Sequence, residues 1–254
     1  MRLEIENAEA GKTQRTYARL TGILFLGVIL IAIVGGSILS RVAGEGTFAE
    51  TAARIAASER LYRVALSTVL IATLGSTLLA FALYATLRPV NRLLAQLAMI
   101  FSLNDSFLAL IVRMCGFARM HLYISAQTSG AGPVAAQALV DLMRTIGGTT
   151  ENLGGICFGI GSALFFYLFF KSRYIPRCLS ALGICASVIW TGLYLANLIF
   201  PEFHALFRYI CFPPMALADV ATGFYLMLFA VKSEAPGGQP AQRPTMPGLV
   251  SRSS

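Results

Sequence analysis

The run LTGILFLGVILIAIVGGSIL, Leu20–Leu39, holds twenty residues with no charged side chain among them. A helix rises about 1.5 Å per residue, so twenty apolar residues match a hydrocarbon core about 30 Å thick. Lys12, Arg15 and Arg19 precede the run in the manner of a secretory leader. The core is longer than the usual 7–15 residues of such leaders, however. Gly35-Gly36-Ser37 also continues into Ile38-Leu39 without a small-x-small cleavage site. The segment therefore reads as a retained membrane span.

Five further stretches meet the same length: Val64–Leu87, Leu93–Val112, Asn152–Phe170, Leu179–Phe200 and Tyr209–Val231. Together the six hold about half of the 254 residues. Hydrophobic residues make up 56% of the chain, charged residues 13%, and the mean hydropathy is +0.70. Soluble domains carry about 25% charge, so this chain has too little to cover a water-facing surface. The same numbers exclude disorder over most of the length. Backbone groups in hydrocarbon must be paired within a segment or a closed barrel, and no alternating ten-residue strand pattern is present. The expected fold is all-α, a polytopic transmembrane helical bundle of about six spans. A head at residues 1–19 and a tail at 232–254 flank the transmembrane domain, 20–231.

Six spans place both termini on one side, and basic residues choose which. The two short loops on that side, Arg88–Arg92 and Lys171–Cys178, carry five Lys/Arg and no acid. By the positive-inside rule the termini are expected in the cytoplasm, in a cell inner membrane. The net charge of +8 then reads as topology and contact with anionic lipid. No basic cluster is interleaved with stacking aromatics, so nucleic acid is not an expected partner.

The opposite face is expected to carry two longer loops. Ser40–Arg63 contains a helix-forming stretch, Phe48–Leu61, suited to lie at the interface. Arg113–Glu151 contains another, Pro133–Ile146, bracketed by Gly130, Gly132, Gly147 and Gly148. Beyond Val231 four of the ten prolines occur with almost no bulky residue, and disorder is expected there.

No HExxH, paired CxxC, GxSxG or GxxxxGK is present, and Gly159-Ile-Gly161 lacks the third glycine of a dinucleotide loop. No cofactor or metal is implied. His121 and His204 both fall outside the expected spans, which leaves no pair of intramembrane haem ligands. The five cysteines are expected as free thiols, although Cys115, Cys157 and Cys211 share the outer side, where one disulfide would be permitted. Trp190, Tyr194, Tyr167 and Phe165-Phe166 read as interhelix filling, and Gly155-x-x-x-Gly159 as a close helix approach.

Two carboxylates carry the most information. Asp105 and Asp219 fall near the middle of the third and sixth spans. An ionised Asp at that depth costs roughly 2.5–3.5 kcal/mol on insertion scales, so such residues face the bundle interior or water. Asn104, Asp105, Asn197 and Asp219 are expected to line one outward-facing polar cavity, with Arg113, Glu202, His204 and Arg208 at its mouth. Pro213-Pro214 removes two backbone donors above Asp219, leaving carbonyls free for a cation or water. The competing reading gives both acids a packing role, each hydrogen-bonded to a neighbouring helix.

Tyr17-Ala-Arg-Leu-Thr-Gly-Ile23, Leu83-Tyr-Ala-Thr-Leu-Arg-Pro-Val90 and Ser172-Arg-Tyr-Ile-Pro-Arg-Cys-Leu-Ser-Ala-Leu-Gly183 together resemble the bacterial membrane family DUF4386. Pro213-Pro-Met-Ala-Leu-Ala-Asp219 fits the same pattern, with Asp where members more often carry Glu. The resemblance covers about residues 15–232. It implies an integral membrane protein of six or seven helices and brings no activity or catalytic residue. The expected function is therefore a membrane protein of unassigned activity whose cavity binds a small molecule or ion. Alternatives are a proton- or cation-coupled transporter, in which Asp105 and Asp219 titrate, and a membrane-embedded redox or enzyme subunit. No internal repeat of the transporter kind is evident, though a homo-oligomer could supply the symmetry.

Overall fold

The computed structural model describes residues 2–128, 133–200 and 204–228, and side chains of a subset of these. The expected tail at 232–254 lies outside them. Among the described residues there are seven helices and no strand: α1 Arg2–Ala43, α2 Phe48–Ala57, α3 Glu59–Leu87, α4 Arg92–Thr128, α5 Pro133–Ser172, α6 Arg177–Ile199 and α7 His204–Leu228. The fold is a helical bundle.

Five helices are long and apolar enough to cross a membrane, and α7 contributes a sixth, shorter apolar stretch, Phe212–Leu228. The bundle's exterior agrees with that reading. Leu30, Ile71, Leu78, Phe107, Val188 and Leu217 are each more than half exposed. Apolar surface this continuous is not kept in water by a monomeric protein.

The six long helices close into a ring in chain order. α1 packs on α3, α3 on α4, α4 on α5, α5 on α6, α6 on α7, and α7 returns to α1. Glycines permit the tightest seams. Gly22 of α1 meets the backbone of α7 so closely that a Cβ there would sit 2.6 Å from the Met227 nitrogen. On α5, Gly155 and Gly159 face Tyr194 and Thr191 of α6, the close approach expected from their spacing. Thr21 and Thr86 add a buried hydroxyl pair at 3.2 Å between α1 and α3.

Two apolar layers fill the ring at different heights. One, near the α3–α4 and α5–α6 turns, centres on Leu83, Leu87, Phe165, Phe166, Phe169 and Ile175. The other, at the opposite end, joins Ile55 of α2 to Tyr62, Met120, Tyr123 and Val140. α2 is anchored there by a capping box, Thr47 with Glu50, and by Arg54, whose guanidinium donates to the Ala43 carbonyl at 2.8 Å and to that of Glu45 at 3.1 Å.

The expected long loop between the third and fourth spans is instead a helical hairpin. α4 continues past Val112 to Thr128, and α5 runs unbroken from Pro133 through Gly147 and Gly148 into the fourth span. Each helical glycine costs about 1 kcal/mol relative to Ala. Packing of α5 along α4 outweighs that cost, with Gly147 set against Cys115. Arg113 consequently lies in mid-helix rather than at a loop boundary.

Candidate functional site

The ring encloses a cavity of about 430 Å³ to which all six long helices contribute. Its lining repeats at helical spacing. α4 supplies Asp105, Ser106, Ala109, Val112 and Arg113, while α7 supplies Phe212, Met215, Ala216, Asp219 and Val220. Such i, i+3, i+4 sets form one stripe of a helix. α5 contributes Thr150, Glu151, Gly154, Gly155 and Phe158, and α6 adds Trp190 and Tyr194. Aliphatic residues of α1, together with Val69, Thr73 and Ser76 of α3, complete the wall.

Antiparallel neighbours fix which lining residues are deep. α4 ascends from the α3–α4 turn, so Asp105 is at its lower end and Arg113 two turns higher. α5 and α7 descend, which sets Phe158 and Asp219 low and Glu151 and Phe212 high. Eight residues at about 1.5 Å each make the cavity roughly 12 Å deep. Its floor carries the two acids, and the Trp190 indole stands in the wall between Phe158 and Phe212, its ring 5.4 Å from the one and 6.5 Å from the other. Beneath it lies the packing layer of Phe165, Phe166 and Phe169.

Several polar groups of the wall lack partners. Asp219 Oδ1, Trp190 Nε1, Arg113 Nε and Ser106 Oγ are buried and without a hydrogen bond. Buried polar atoms are ordinarily satisfied, and each exception asks for a ligand, water or strain. Thr73 and Ser76, by contrast, donate to their own helix, to the Val69 and Ala72 carbonyls. Arg113 lies within electrostatic reach of both Asp105 and Glu151. The aromatic side is ordered by contact: Trp190 stacks on Tyr194 at 5.1 Å and meets Phe158 edge-on at 5.4 Å.

Asp105 and Asp219, expected in one cavity, and Arg113, expected at its mouth, all line this cavity. Asn104 does not join them. It is exposed on another face of α4, because one residue turns a helix by about 100°. Asn197 is buried away from the lining and donates through Nδ2 to Asn152 Oδ1 at 2.7 Å, a link between α6 and α5. Glu202 falls outside the described residues, and so do the side chains of His204 and Arg208. Pro213 and Pro214 stand inside α7 rather than in its first turns, since the helix already begins at His204. Cys115, Cys157, Cys178 and Cys185 are free thiols.

Glu151 and the Trp190–Tyr194 stack line the cavity, although Trp190 and Tyr194 read from the sequence only as interhelix filling. Their signal was the lining stripe on each helix, which becomes readable once the ring order is known. The model of a domain of unknown function, DUF4386, matches residues 20–230. The chain belongs to the DUF4386 family. No curated protein and no solved structure matches it. In this DUF4386 protein the match runs from the start of the first apolar run through α7, so the apolar part of every ring helix and the cavity lie inside the family domain.

Proposed function

We propose that this protein crosses a cell inner membrane six times, with head and tail in the cytoplasm, and binds a small molecule in the central cavity from the outer side. The observation that carries the reading is Asp219: a carboxylate with a buried, unpartnered oxygen, set on the floor of a cavity of about 430 Å³. Small-molecule sites span about 300–1,000 Å³ and combine apolar walls with a few convergent polar groups. A purely structural acid would be expected to have found a hydrogen-bond partner on a neighbouring helix. The short basic loops, Arg88–Arg92 and Lys171–Cys178, support the orientation.

Native mass spectrometry of the full chain released from membranes tests the reading. The expected result is a small-molecule adduct retained by the wild type and lost from Ala109→Phe, which fills the lining. The same spectrum from both proteins, with no adduct on either, contradicts it. The coupled-transporter alternative draws on the presence of Asp105 and Asp219 in one cavity, and it requires the layer of Phe165, Phe166 and Phe169 to part.

A further inference from the structure

We infer that the cavity takes a small organic cation, an amine carried on an apolar body, with its ammonium at the floor beside Asp219. The inference rests on the cavity-binding reading above and names the chemistry of its ligand.

Three features select that chemistry. The first is charge: the described lining holds three carboxylates, Asp105, Glu151 and Asp219, against one guanidinium, Arg113. Arg113 lies within electrostatic reach of both Asp105 and Glu151. Among the described residues no cation stands opposite Asp219, so an ammonium donor there supplies the missing hydrogen bond. The second is the aromatic wall. Trp190, which stacks on Tyr194 and lies against Phe158 and Phe212, lines the same cavity, and indole faces attract cations more strongly than the other aromatic rings do. The third is the remainder of the lining, where Val28, Ile29, Ala32, Ile33 and Val69 offer apolar surface and no donor.

Other ligand classes fit less well. An anion would face three acids with a single Arg. A bare divalent cation requires six or more oxygen ligands, and an aliphatic and aromatic wall does not provide them.

The protein holds a single tryptophan, and it stands in the cavity wall, so its emission reports on this site alone. The full chain in lipid nanodiscs is titrated with 4-phenylbutylamine, 4-phenylbutanol and 4-phenylbutyrate, which share one skeleton and differ in charge. The amine is expected to change Trp190 emission saturably at a concentration about tenfold lower than the alcohol, with the acid weakest. Asp219→Asn should bring the amine to the level of the alcohol. Equal binding of amine and alcohol, or tightest binding of the acid, overturns the cation assignment and leaves the cavity reading standing. If none of the three changes the emission saturably, the cavity reading fails with it. The comparison of three probes on the wild type decides the matter even if Asp219→Asn does not fold.

Discussion

The Asp105 carboxylate lies against the backbone of Gly154, so near that a Cβ added to the glycine would stand 3.2 Å from Oδ1. The floor of the cavity is therefore shaped by a residue with no side chain on the facing helix. Gly154→Ala is expected to push the Asp105 side chain aside while the bundle stays folded, because only the end of one side chain must yield. The change in stability should remain within about 1 kcal/mol, the range of tolerated core swaps. Thermal unfolding in detergent checks the stability, and titration of Trp190 emission with 4-phenylbutylamine should show altered affinity.

The seam between α5 and α6 behaves differently. A Cβ at Gly155 collides with the Tyr194 ring, and one at Gly159 with the Thr191 hydroxyl and the α6 backbone. Gly155→Ala and Gly159→Ala should each destabilise the protein by about 1–3 kcal/mol, as overpacking does. Gly192→Ala meets open space and should be neutral or slightly stabilising. Equal melting temperatures for all three variants would refute the close approach.

Asn152 and Asn197 join α5 to α6 through a 2.7 Å hydrogen bond. Interhelical bonds of this kind average about 0.6 kcal/mol and reach about 1.7 kcal/mol in double-mutant cycles. A cycle built on Asn152→Ala and Asn197→Ala should give a coupling in that range, read from unfolding in mixed micelles. A coupling of zero would show that the two side chains do not meet.

Cysteines separate exposure to water from exposure to lipid. Cys178 and Cys185 are both exposed, yet Cys178 is the second residue of α6 and Cys185 lies seven residues further on, about 10 Å along the axis. A membrane-impermeant maleimide applied from the cytoplasmic side should label Cys178 rapidly and Cys185 barely. Rapid labelling of both would place α6 in water, and labelling of Cys178 only from the outer side would reverse the topology.

α2 depends on its cap. Thr47→Ala removes the side-chain acceptor for the Glu50 amide, at a cost of about 0.5–2 kcal/mol. Hydrogen exchange across Phe48–Ala57 should accelerate while the ring helices keep their protection.

The ring of long apolar helices was legible in the sequence because runs of about twenty apolar residues, with polar residues confined to special positions, make a strong pattern. Asp105 and Asp219 stood out by the same contrast. Asn104 was misplaced because adjacency in sequence puts neighbours on different helix faces. Asn197 found a partner, Asn152, that no spacing rule identifies. The hairpin of α4 and α5 was hidden by Gly147 and Gly148, which locally favour a break that long-range packing overrides. Glu151 and Trp190 became cavity residues only through the order in which the helices close the ring, a tertiary fact without a local signature.

The central claim is that the chain is a lipid-embedded ring whose polar floor faces inward. Quenching of Trp190 tests it most directly on the unmodified protein. In nanodiscs made with acyl-brominated lipid, Trp190 should keep its emission, while aqueous acrylamide entering the cavity should quench it. Strong quenching by the brominated chains with protection from acrylamide would turn that wall outward and contradict the account.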